Sequence, residues 1–204
     1  MASLGVAVWL GAEPAGSAEV RVAMDRSGFR PHWPIMAFGC LAIGMEASLI
    51  GLGPTALIQA GIAEDRASAL LSLFFVLCLS GRLTLVFLAD RVASFTLLTG
   101  AVAGAALCSF GAALGDPQVF FPPIGLAAGL FFPGYYVTGN RKMGTDVRVA
   151  PILIGVGLTG AIVSPLIVAQ LIGNLGDRVF FWLIGGLACA LALAVLTRLR
   201  DMSR

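Results

Sequence analysis

Residues 33–59 read WPIMAFGCLAIGMEASLIGLGPTALIQ, and Glu46 is the sole ionisable acid or base among them. A helix rising 1.5 Å per residue crosses the roughly 30 Å hydrocarbon core of a bilayer in about 20 residues, so this stretch is long enough and apolar enough to span it. Working outward, the same pattern recurs five times, at Ser68–Ala89, Phe95–Leu114, Val119–Thr138, Val149–Ile172 and Val179–Leu196. The breaks between them carry loop chemistry, among them Gly115-Asp116-Pro117 and the polar run from Asn140 to Arg148. The reading is an all-α membrane protein of six transmembrane helices.

Composition agrees with this. Of 204 residues 58% are hydrophobic and 12% charged, with 26 Gly and a mean hydropathy of +0.95. A soluble domain is about a quarter charged, so this chain lacks the polar material to cover a water-exposed surface. A net charge of +2 offers no basic face for nucleic acid. Cys40, Cys78, Cys108 and Cys189 lie inside apolar runs without Cys-x-x-Cys spacing, and they read as small core residues rather than as disulfides or metal ligands. No cofactor motif and no metal-binding spacing is present.

The domain expectation is three-part: an apolar stub and cytoplasmic linker at residues 1–32, a transmembrane domain at 33–198 and a cytoplasmic tail at 199–204. Met1–Leu10 is too short to cross a bilayer and has no basic leader, so it reads as the end of a preceding helix, with Gly11–His32 as the loop after it. Lys and Arg place the chain in the membrane. Eleven fall on the side of the N-terminus, with Arg82 assigned to the nearer interface, and Arg66 and Arg178 alone fall on the other. The positive-inside rule then puts both termini in the cytoplasm, with the protein multi-pass in the cell (inner) membrane.

Glu46 lies about 20 Å along its helix, near the bilayer midplane. A carboxylate there must be protonated, paired or wetted, and such residues mark ion paths and proton relays. Seven residues later Gly53-Pro54 removes a backbone hydrogen bond and is expected to break or bend the span. The fourth span repeats the theme with Pro122-Pro123 and then Phe132-Pro133-Gly134-Tyr135-Tyr136. Interrupted helices are how transporters build midplane sites. Glu46, Tyr135, Tyr136 and the weaker Gln170 are therefore the candidate solute and ion pathway, with Gly53, Pro54, Pro133 and Gly134 as helix breaks.

The end of the second span, Ser80-Gly81-Arg82-Leu83, then Leu88-Ala89-Asp90-Arg91, resembles the signature between the second and third helices of each half of the major facilitator superfamily. Thr84 and Val86 stand where members of that family usually carry small residues. Pro133, Gly139, Gly144 and Asp146 are spaced as in the tenth helix and following loop of fucose-permease-like sugar symporters. Gly155-x-Gly157-x-x-Gly160, Pro165 and Gly176-Asp177-Arg178-x-Phe180-Phe181 are similar to the eleventh helix and its exit into the twelfth. The resemblance runs from Trp33 to the C-terminus. It implies the C-terminal half of a twelve-helix fold, built as two inverted three-helix repeats, with spans one and four lining the solute path and spans three and six facing lipid.

By the same resemblance, Gly81, Arg82, Asp90 and Arg91 form a cytoplasmic gate that holds the outward-facing state. The implied activity is symport of a small solute by alternating access, with the fourth-span resemblance pointing to a sugar; Glu46 itself points to a proton as coupling ion, with sodium as the alternative. The partners are membrane lipid and a missing N-terminal half or a second copy. The alternative is an orphan six-helix protein that does not transport alone and acts as a dimer or assembly partner. An intramembrane enzyme is disfavoured: the single histidine, His32, sits at a span edge, and no span holds paired carboxylates.

Overall fold

A computed structural model describes residues 31–88, 94–144, 146–176 and 179–202, with the side chains of 86–88, 94–95 and 198–202 outside the description. The stub and most of the linker, and Asp90 and Arg91 of the expected gate, lie outside the described residues. Every described element is helical: α1 Trp33–Gln59, α2 Glu64–Leu88, α3 Ser94–Leu114, α4 Pro117–Ala128, α5 Phe131–Met143, α6 Val149–Leu175 and α7 Phe180–Met202. Backbone polar groups in hydrocarbon have to be satisfied within their own segment, which is why apolar runs of this length become helices. With α4 and α5 taken as one span, six helices are long and apolar enough to cross a membrane, so the chain is a multi-pass membrane protein.

The helix ends follow local chemistry that a count of apolar residues does not see. The second span begins at Glu64, four residues before its apolar run, because Glu64 and Asp65 occupy the first turn, where negative charge complements the helix dipole. Asp116 caps α4, its Oδ1 accepting from the Gln118 amide at 2.8 Å, with Pro117 preset for the first turn. The single histidine is a cap as well: His32 Nδ1 accepts from the Ile35 amide at 3.4 Å. Gly144 and Gly176, which the motif comparison singles out, end α5 and α6 at φ of 90° and 97°, a backbone region closed to most side chains.

Two prolines behave differently from one another. The expected break at Gly53-Pro54 does not form, because α1 is helical through it from Trp33 to Gln59. One lost amide is tolerated in a membrane helix when neighbours hold the backbone, and here Gly53 seats the ring of Phe121 from α4. The fourth span does break, at Gly129-Leu130 rather than at Pro133-Gly134 themselves. Pro133 cannot donate to the carbonyl four residues back, that of Gly129, so the ladder fails there and restarts with Pro133 in the first turn of α5.

Packing follows a simple scheme: α1 lies along α6, α2 along α4, and α3 along α7, with α3 also crossing α4 and α5. Apolar burial gives little net attraction between helices in lipid, so close contact at small residues has to supply it. Gly160 packs on the carbonyl of Cys40, and Gly44 on Ser164, where α1 meets α6. Gly125 and Gly129 pack on the carbonyls of Phe74 and Cys78, and Gly81 on that of Leu126, where α4 meets α2. Spans one and four are the centre of the bundle, 50% and 56% buried. Spans two and five are the most open at 22% each, whereas three and six, expected to face lipid, are 39% and 44% covered. Apolarity alone does not say which spans are outermost.

Candidate functional site

The site is built from α1 and α2 near the end of the bundle that holds Trp33 and Leu88. Glu46 sits on the inward side of α1 beside the fully buried Met45 and Leu49, and its own side chain is only 10% exposed. Arg82 Nη2 on α2 donates to Glu46 Oε1 at 3.0 Å. Cys78, one turn earlier on α2, points its Sγ at the same oxygen from 4.0 Å. The Cα of Arg82 lies about 9 Å from the end of α2, and its stem carries the guanidinium inward to the buried carboxylate.

The pair forms because of what surrounds each partner. A lone carboxylate in this setting carries a desolvation cost of several kcal/mol, and a charge-assisted hydrogen bond from a guanidinium is among the strongest compensations available. The match is partial. Glu46 occupies one nitrogen of a guanidinium with five N–H donors, and the Arg82 side chain stays 51% exposed. The arrangement thus joins a buried acid to a half-open cation.

The other expected site residues separate from this pair. Tyr135 is fully buried, packs over Gly39 and donates its hydroxyl to the Leu153 carbonyl at 3.1 Å, so it ties α5 to α1 and α6 and does not line an open path. Tyr136 is partly buried, stacked on Phe132 at 5.9 Å and 19°. Gln170 is exposed on α6, and Gly134 packs against Leu98. Gly81 serves the α2–α4 crossing, while Asp90 and Arg91 lie outside the described residues.

An open cleft of about 330 Å³ lies at the far end of the bundle, between Gln59, Gly115, Pro117 and Trp182, and among the described residues its lining holds no ionisable side chain. Nearby, Arg66 Nε donates to Gln118 Oε1 at 3.3 Å and ties the starts of α2 and α4 together. Among the described residues no three His, Cys, Asp or Glu side chains are grouped to hold a metal ion.

Sequence reasoning found Glu46 and Arg82 separately and assigned them to different tasks. The signal that joins them was present: they are the only opposite charges within the apolar cores of the first two spans. Cys78 had no such signal, since its part comes only from lying one turn before Arg82. No known protein-family model matches the sequence, and no curated protein aligns with it significantly.

Proposed function

We propose that this chain is the C-terminal half of a secondary transporter of the major facilitator type, moving a small solute by alternating access with Glu46 as the proton-coupling group. The observation that carries the reading is the pairing of the buried Glu46 with Arg82 across two helices. An ion pair bridging spans is a two-state element: when α1 and α2 separate, Glu46 has to find a proton or another cation, so movement and ion binding become linked. The packing scheme supports the same reading. If the first three spans are exchanged with the last three, the α1–α6 contact becomes the contact of the fourth span with α2, and α3–α7 maps onto itself. Two inverted three-helix repeats generate that pattern.

The test is uptake in proteoliposomes by the chain, joined with its missing half or a second copy, under an imposed pH gradient. Wild type is expected to accumulate solute with the gradient and Glu46→Gln to lose that dependence; identical gradient dependence in both sinks the coupling role. A second reading, an assembly partner that does not transport alone, draws on the openness of α2 and α6, each span only 22% buried. Particle mass in detergent separates a monomer from an assembly.

A further inference from the structure

We infer that the open side of Arg82 is a binding site for a carboxylate-bearing solute, sugar acids included. This rests on the transporter reading and narrows its solute class. Arg82 already holds one carboxylate, that of Glu46, at 3.0 Å through Nη2, so a charge-assisted guanidinium–carboxylate bond already forms in this setting. Among the described residues one of its five N–H donors is engaged, and half of the side chain is open. Unlike Arg66, which reaches a neutral glutamine, Arg82 engages a carboxylate that is almost wholly buried while its own side chain stays half open.

The surrounding charge favours an anion over a neutral sugar. Glu46 is the only ionisable acid or base on α1, and α4 and α6 have none. Among the described residues the other titratable group at the pair is the Cys78 thiol, whose Sγ lies 4.0 Å from Glu46 Oε1. Phe75, Leu79 and Arg82 recur at helical spacing, with Phe75 and Leu79 exposed, so an apolar wall runs beside the guanidinium along α2. That wall suits the carbon body of an organic acid better than a hydrated inorganic phosphate.

The test is calorimetric titration of the purified full chain in nanodiscs with D-glucuronate, benzoate, D-glucose and inorganic phosphate as probes. Binding of glucuronate or benzoate at least tenfold tighter than glucose and phosphate, and lost at least tenfold in Arg82→Gln, is the expected result. Arg82→Lys is expected to keep part of it. Should Arg82→Gln fail to fold, Glu46→Gln/Arg82→Gln removes both charges together and is read in its place. No carboxylate binding, equal binding of glucose, or carboxylate binding untouched by loss of Arg82 overturns the inference. Phosphate binding as tightly as carboxylate also overturns it and assigns Arg82 to phosphate, free or on a lipid headgroup. Uptake of a neutral sugar with no anion binding sinks this inference and leaves the transporter reading standing; anion binding without uptake in any assembly does the opposite.

Discussion

Arg82 Nη2 and Glu46 Oε1 meet at 3.0 Å, yet the two side chains are covered unequally, 51% exposed for the arginine and 10% for the glutamate. Removing one partner is therefore not equivalent to removing the other. Arg82→Gln leaves a buried carboxylate without its cation, with the Cys78 thiol 4.0 Å away, and is expected to cost about 2–4 kcal/mol. Glu46→Gln leaves a cation that can turn to solvent or headgroups, and is expected to cost about 1 kcal/mol or less. Denaturant titration of both variants and of the double variant in mixed micelles checks the order. Equal losses in the two single variants would mean that the pair is not buried on the Glu46 side.

Glycines that share one sequence motif are expected to differ sharply. Gly160 lies on the Cys40 carbonyl, whereas a side chain at Gly155 meets nothing within 4 Å. Gly160→Val has to push α6 from α1 and is expected to destabilise by about 1–3 kcal/mol or more. Gly155→Ala adds a better helix former in open space and is expected to leave stability unchanged or raise it by up to about 1 kcal/mol. Parallel unfolding curves of the two variants decide; equal damage would show that Gly155 also faces a helix.

The six spans were legible because hydrocarbon thickness and apolar run length are one-dimensional quantities, and Trp33–Gln59 and Val149 came out to the residue at the ends named. The break in the fourth span was legible as to cause and displaced as to place, since Pro133 acts on the carbonyl of Gly129 behind it. Which residues meet was far less legible. Tyr135 has the same chemistry whether it faces a solute or the Leu153 carbonyl, and only the rotation of α5 decides. Glu46 and Arg82 are 36 residues apart, and their pairing depends on how α1 and α2 cross rather than on any local pattern.

If Tyr135 is a packing residue, its hydroxyl contributes stability and nothing to solute handling. Tyr135→Phe keeps the ring over Gly39 and deletes one buried hydrogen bond while leaving the Leu153 carbonyl with its helical partners. The expected loss is about 0.5–1.5 kcal/mol with unchanged anion binding and uptake. A tenfold change in solute affinity with little change in stability would return Tyr135 to the pathway.

The orientation inferred from Lys and Arg can be read directly at the two kinds of loop. Ala63 lies between α1 and α2 and Val147 between α5 and α6, both exposed, and one and five spans after Trp33 respectively would put them on the same side if α4 and α5 each crossed separately. Because α4 and α5 together make a single crossing, the two loops belong to opposite sides. With Ala63→Cys and Val147→Cys in a background whose four native cysteines are replaced, an impermeant maleimide added to intact cells is expected to label position 63 and to reach position 147 only after permeabilisation. The reverse order would invert the topology and place the Glu46–Arg82 pair nearer the outer face. Labelling of both positions from one side would mean that α4 and α5 do not form one span.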